Sequence, residues 1–183
     1  MLDTIAASLA SGQIVLLPTD TIYGLHALAG NEAAVGRIAA LKGRDEGKRF
    51  VIIAASMDQL LEYGAAVPDM LRSVWPAPLT AVVPHPSGSV AVRVPDLAWL
   101  RALLDRTGPL VSTSANRSGE PPIRVPAELA WELQQAVDFA LDAGPREGKP
   151  STLVDFTCNE PHLIREGDPV FAQFLRKTLR KTL

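Results

Sequence analysis

Three short polar segments hold the residues best suited to chemistry: Lys42-Gly43-Arg44, Ser114-Ala115-Asn116 and Pro18-Thr19-Asp20-Thr21. Together they offer two fixed cations, several hydroxyls and an amide, a set that suits a triphosphate and a small polar substrate better than a plain protein surface. Lysine meets a phosphate as a point charge, and arginine can grip two oxygens with its planar fork. Lys42, Arg44, Lys48 and Arg49 place four cations within eight residues of a nearly neutral chain. The plainer reading is a helix C-terminus stabilised by cations, worth about 0.3–1 kcal/mol. Ser112 to Gly119 carries five hydroxyl or amide side chains in eight positions. Such a loop can cradle phosphate oxygens through backbone N–H groups, or it can be a simple Ser/Thr turn. Thr19 and Thr21 follow an apolar run directly, at the strand end where open α/β sheets hold ligands. The alternative there is a turn whose hydroxyls bond their own backbone.

Two more arginines end apolar runs, Arg93 after Val90-Ala91-Val92 and Arg165 after Leu163-Ile164. A cation in that position needs a carboxylate, from the protein or from a ligand.

Other chemistries fail on spacing. Gly144-Pro145-Arg146-Glu147-Gly148-Lys149-Pro150-Ser151 lacks one spacer of a P-loop and sets Pro150 between lysine and hydroxyl. His26, His85 and His162 have no metal-ligand spacing, so no metal site is expected. No Gly-x-Ser-x-Gly elbow or dinucleotide fingerprint occurs. Cys158 is the single cysteine, which excludes an internal disulfide. A net charge of -2 does not advertise nucleic-acid binding, although a local basic groove is compatible with it. The acidic start and the lack of a membrane-length apolar run favour a soluble cytoplasmic protein.

The elements that must position these residues alternate along the chain. Asp3 caps a short helix bearing Ile5 and Leu9, and Ile14 to Leu17 reads as a buried strand. Asn31 caps a second helix with a Val35, Ile38, Ala39 stripe and a stop at Gly43. Further strands fall at Val51 to Ala54, Leu79 to Val83, Val90 to Val94, Leu110 into Ser114, Phe139 to Leu141, Thr152 to Val154 and His162 to Ile164. Helices are expected at Asp58 to Tyr63, Asp69 to Trp75, Asp96 to Asp105, Pro126 to Gln134 and from Asp168-Pro169 onward. Trp75, Trp99 and Trp131 are read as packing residues. With 183 residues, 47% of them hydrophobic, this pattern predicts one layered α/β domain around a twisted mixed sheet.

Taken in order, the segments resemble the YrdC/TsaC family of threonylcarbamoyl-AMP synthases. The matching stretches are Leu17 to Leu25, Lys42-Gly43-Arg44, Trp75 to Thr80, Val90 to Pro95, Ser112 to Gly119, Ser151-Thr152 and Ile164 to Gly167. The resemblance implies a single YrdC-like domain with its core at about residues 4–167, a C-terminal helix at about 168–180, and a deep, basic concave face. It also implies a reaction in which L-threonine, bicarbonate and ATP give threonylcarbamoyl-adenylate and pyrophosphate. The product feeds modification of the tRNA adenosine next to the anticodon, through downstream threonylcarbamoyl-transfer proteins.

Residue by residue, the resemblance sets ATP against Lys42, Arg44, Ser114, Asn116 and Arg165, with main-chain contacts at Ser89 and Pro122. It sets threonine against Thr19, Arg93, Ser112 and Ser151. Lys42 and Arg44, with Mg²⁺, would neutralise phosphate charge during catalysis. Arg49, Ile53 and Ala77 depart from the family pattern, Ile53 where some relatives carry a histidine near the threonine site. The extra C-terminal domain of longer relatives is not expected. The competing readings are an RNA-binding module using the concave face, and a paralogue acting on another substrate. A hydrogenase-maturation type of domain fits poorly with one cysteine.

Overall fold

The computed structural model of the protein describes residues 1–43 and 50–180. Nine strands form one sheet: β1 (Val15–Pro18), β2 (Tyr23–Leu28), β3 (Val51–Ile53), β4 (Leu79–His85), β5 (Gly88–Arg93), β6 (Leu110–Ser114), β7 (Phe139–Ala140), β8 (Thr152–Asp155) and β9 (His162–Arg165). Their spatial order is β7-β1-β2-β6-β3-β5-β4-β8-β9. The β1/β7, β3/β5 and β4/β8 pairs are parallel, and β1/β2, β2/β6, β3/β6, β4/β5 and β8/β9 are antiparallel. The sheet is therefore mixed, as the irregular strand spacing predicts.

The helices are α1 (Leu2–Ala10), α2 (Glu32–Leu41), α3 (Met57–Glu62), α4 (Ala98–Thr107), α5 (Trp131–Gln134) and α6 (Pro169–Arg180). Strand alternation divides the apolar residues between the two faces. Tyr23, Leu25, Ile52, Ala81, Val92, Val111 and Val154 enter the larger core, together with Ile38 of α2 and Leu60 of α3. Val15, Leu17, Ile53 and Leu110 face the other way, where Ile5 and Leu9 of α1 and Leu100, Leu103 and Leu104 of α4 cover them. Fully burying a leucine or isoleucine is worth about 1.5–3 kcal/mol, so these contacts fix both helices. Beyond the residues covered by α1 and α4, this second face carries Gly24, Ser112, Ser114 and Arg93 into the lining of a cavity.

The helix signals held in part. Asn31 caps α2, its Oδ1 accepting from Ala34 N at 3.0 Å, and Gly43 adopts φ +51° just past the helix end. Asp3 does not cap α1, which starts at Leu2 with no side-chain cap, and further expectations are corrected. The expected strands lacked one: Tyr23–Leu28 is β2, masked in the sequence by the small and polar Gly24 and His26 on its second face. Asp96 does not cap α4, which starts at Ala98 after Leu97; its backbone N–H donates to Asp20 instead. Asp69–Ser73 is a 3₁₀ turn. Pro126–Glu128 is also 3₁₀, and the chain extends at Leu129 to bury that side chain before α5 begins. Trp131 then lies on the surface at 68% exposed, whereas Trp75 is buried and donates its Nε1–H to Leu79 O at 2.9 Å.

Candidate active site

On the second face of the sheet lies a cavity of about 330 Å³. The proposed threonine residues Thr19, Arg93, Ser112 and Ser151 all line it, and so do Ser114, Asn116, Pro122 and Arg165 of the proposed nucleotide set. Five separate chain segments thus converge, although they are distant in sequence. Lys42 and Ser89 are outside this lining. Ser89 sits on the same face of β5 as Arg93, four residues away, or about 13 Å along a strand. Arg44 lies outside the described residues, as do Lys48 and Arg49.

Arg93 ends β5 with 6% exposure. Its guanidinium pairs with the Asp20 carboxylate and donates to Thr21 Oγ1 at 3.1 Å. The other Asp20 oxygen accepts from Asp96 N at 3.0 Å. The cation is therefore already matched by a protein carboxylate, an outcome that the neighbouring residues allow but do not announce. Its Nε is buried without a partner.

The Thr19 hydroxyl donates to Ile22 O at 2.8 Å and lies 3.0 Å from Thr21 Oγ1. Both readings of these threonines therefore hold at once: they close their own turn, and they line the cavity. On the opposite wall, Ser151 and Thr80 share a buried hydroxyl–hydroxyl bond of 2.7 Å. Arg165 donates to Ser151 O from Nε and NH2 at 3.2 and 3.0 Å. Its side chain is partly exposed, yet desolvation by the surrounding protein, followed by the charge of Arg93, lowers its pKa from the ordinary value. An arginine remains protonated under such a shift, so Arg165 brings to the cavity a cation with no carboxylate partner among its hydrogen bonds to Ser151, beside the Arg93 that Asp20 already balances.

Lys42 is engaged by the loop that follows β6. Its side chain is buried, and Nζ donates to Ser114 O and Asn116 Oδ1 at 2.9 Å each, and to Asn116 O. Ser114 Oγ donates to Asn116 Oδ1 at 2.6 Å, and Asn116 Nδ2 donates to Glu120 O. The lysine thus holds the loop after β6 in shape from behind. Burying an ammonium is costly without several acceptors, and these oxygens supply them.

The stretch that failed as a P-loop forms an edge of the site. Tyr23 donates its hydroxyl to Gly144 O at 2.8 Å, and accepts from Ala143 N at 3.0 Å. Gly148 then crosses so close to Thr21 that an added Cβ would lie 2.2 Å from its carbonyl oxygen, and Pro150 and Ser151 join the lining. Ile53 also lines the cavity, so no imidazole enters from that position. Sequence reasoning passed over Asp20, Thr80 and His26. Asp20 and Thr80 fall inside segments quoted for the resemblance, but His26 carried no signal. It is fully buried with neither ring nitrogen hydrogen-bonded. Burial pushes its pKa down to about 4; the Leu17 and Val111 backbone groups oppose the shift without hydrogen-bond geometry, and Arg93 adds to it.

The fold and site define a mixed-sheet α/β domain with a cavity on one sheet face that is lined by arginines and hydroxyls. The chain belongs to the Sua5/YciO/YrdC family, whose model, described as telomere recombination, matches residues 7–167. A threonylcarbamoyl-AMP synthase from Chromohalobacter salexigens is 36% identical over 169 residues, covering 84% of this chain and 91% of the relative. One from Pyrococcus abyssi is 33% identical over 88% of this chain and 52% of its own length. The structure of P. abyssi Sua5 complexed with L-threonine superposes with a TM-score of 0.86 at 32% identity. That match covers 97% of this chain, which spans 56% of the archaeal one. Escherichia coli YciO shares the fold, with a TM-score of 0.82 at 23% identity.

Proposed function

We propose that this protein is a nucleotidyltransferase that makes L-threonylcarbamoyl-adenylate from L-threonine, bicarbonate and ATP, releasing pyrophosphate, for tRNA modification. The observation that carries this reading is the convergence of Arg93, Arg165 and the Thr19, Ser112, Ser114 and Ser151 side chains on one cavity in a chain of this family. Threonine occupies the wall formed by Thr19, Arg93, Ser112 and Ser151. Its carboxylate approaches the Arg93 guanidinium, which Asp20 and Thr21 hold in orientation. ATP lies toward the loop of Ser114 and Asn116, with Arg165 and Pro122 beside it, and with Lys42 as the buried support of that loop. Arg44 and Ser89 complete the nucleotide contacts in this reading.

The amine takes up bicarbonate to give a carbamate and water, and a carbamate oxygen attacks the α-phosphorus as pyrophosphate leaves. No covalent enzyme intermediate is needed. The protein aligns the reactants, shields the labile carbamate and balances phosphate charge. No group of three or more His, Cys, Asp or Glu side chains among the described residues is placed to hold a metal ion. Glu120 lines the cavity while Asp20 is engaged by Arg93, so Mg²⁺ would rest chiefly on the triphosphate and bring charge neutralisation with it. No helix among the described residues is long and apolar enough to cross a membrane. A cytoplasmic site of action, close to the tRNA-modifying proteins that would consume the product, fits this reading.

The test is incubation with ATP, Mg²⁺, bicarbonate and threonine while pyrophosphate is followed. Omission of threonine or of bicarbonate should abolish its release. Release that ignores both would reject the assignment.

A further inference from the structure

Ser151 is held at the cavity wall through both its backbone and its side chain. Its carbonyl oxygen accepts from Arg165 Nε and NH2 at 3.2 and 3.0 Å. Gly167 packs so closely against this stretch that an added Cβ would lie 2.4 Å from Pro150 O and 2.9 Å from Ser151 C. The Ser151 hydroxyl meets Thr80 Oγ1 at 2.7 Å. Thr80 belongs to β4, which runs parallel to β8 with Leu79 opposite Thr152. Strand pairing thus brings together two hydroxyls that lie 71 positions apart in the chain.

The two hydroxyls differ in what else they can reach. Both residues border the cavity, but Ser151 has surface open to it, at 6% exposure, whereas Thr80 has 0%. Among the described residues, Ser151 Oγ is the single hydrogen-bond partner of the Thr80 hydroxyl. A bond between two hydroxyls uses one proton and leaves the other over. If Ser151 donated, the leftover proton would be that of Thr80, buried away from any acceptor at the full cost of an unmade bond. If Thr80 donates, the leftover proton belongs to Ser151 and points into the cavity, where an oxygen can take it. Burial therefore selects Thr80 as the donor.

We propose that Thr80 is a positioning residue of the amino-acid subsite: it donates to Ser151 Oγ and so makes the serine a fixed hydrogen-bond donor toward an oxygen of the bound amino acid. This rests on the synthase reading, in which Ser151 belongs to the threonine wall. Thr80 touches no substrate itself. It orients the serine before the amino acid arrives, and a donor already oriented loses less freedom on binding than a free rotor does.

The experiment measures threonine and ATP KM values in the pyrophosphate assay, with thermal unfolding followed in parallel. The proteins are wild type, Thr80→Val, Thr80→Ser, Ser151→Ala and Thr80→Val combined with Ser151→Ala. Thr80→Val should raise the threonine KM about fivefold, the scale of one hydrogen bond, and leave the ATP KM unchanged. Thr80→Ser keeps the donor and should stay near wild type. In the Ser151→Ala background Thr80→Val should add nothing, because its effect passes through Ser151. An unchanged threonine KM in folded Thr80→Val overturns the proposal, as does a Thr80→Ser protein no better than Thr80→Val. An equal factor in both backgrounds also overturns it, since Thr80 would then act by packing alone. Should Thr80→Val fail to fold, Thr80→Cys, a weaker donor of similar size, takes its place with the same expected and overturning results. Wild-type protein that releases pyrophosphate without regard to threonine would sink the synthase reading itself, an outcome distinct from any of these.

Discussion

Arg93 and Asp20 form a buried ion pair at the foot of the cavity, each side chain only 7% exposed. Removing one partner of such a pair leaves an uncompensated buried charge, at a cost of about 3–5 kcal/mol. Asp20→Ala should therefore lower stability sharply. Asp20→Asn, which retains a hydrogen-bond acceptor, should lower it less. Chemical denaturation measures both, and equal stability in all three proteins would contradict the pairing.

Arg93→Lys keeps the charge opposite Asp20 but loses the planar fork. A point charge cannot reproduce a two-oxygen grip, so the threonine KM should rise while ATP affinity measured without threonine stays nearly constant. If ATP binding falls and threonine dependence does not change, the division of the cavity is wrong.

Lys42→Ala should impair both synthesis and folding. The ammonium has acceptors on Ser114 and Asn116, and bonds to a charged group are worth about 1.5–3 kcal/mol each. Turnover should fall around 10²–10³-fold as the loop loses its support, with a melting temperature several degrees lower. Arg44→Ala is expected to cost a similar factor in rate. Normal turnover in the Lys42→Ala Arg44→Ala protein would remove both from the mechanism.

Amino-acid selectivity follows from the hydroxyls in the lining. Thr19 and Ser151 are already hydrogen-bonded within the protein, so Ser112, with the remaining capacity of Ser151, is the partner offered to a substrate hydroxyl. Serine loses only a methyl, worth roughly 1–3 kcal/mol, whereas valine forfeits the hydrogen bond. The expected order is threonine, then serine, then valine, in competition at fixed ATP and bicarbonate. Equal use of valine and threonine would favour another substrate.

Stability should also depend on pH through His26. Its pKa is about 4 folded against 6.5 for the free side chain, so the unfolded chain binds the proton first as pH falls. The folded state has its full advantage above pH 6.5 and loses it progressively toward pH 4, on the order of 3 kcal/mol in total. Arg93, the charged neighbour, acts in the same direction. Denaturation of His26→Phe should lack this component, so the stability difference between the two proteins should vary with pH across that window. A constant difference would contradict it.

The sequence alone determined the strands with apolar runs, the Asn31 cap, the stop at Gly43 and the polar loops that meet at the cavity, because these depend on local periodicity and turn chemistry. The order of its motifs carried the family resemblance. It could not decide which strands neighbour one another: β6 lies between β2 and β3 because long-range pairing sets the sheet, and no local pattern encodes that placement. The helical expectation for Pro126 to Gln134 failed for the same reason, since burial of Leu129 interrupts it. Pairing of Arg93 with Asp20 and the placement of Lys42 behind the loop of Ser114 and Asn116 are likewise tertiary facts. In each case a charge of known position found its partner about seventy residues away, where packing rather than sequence spacing sets the distance.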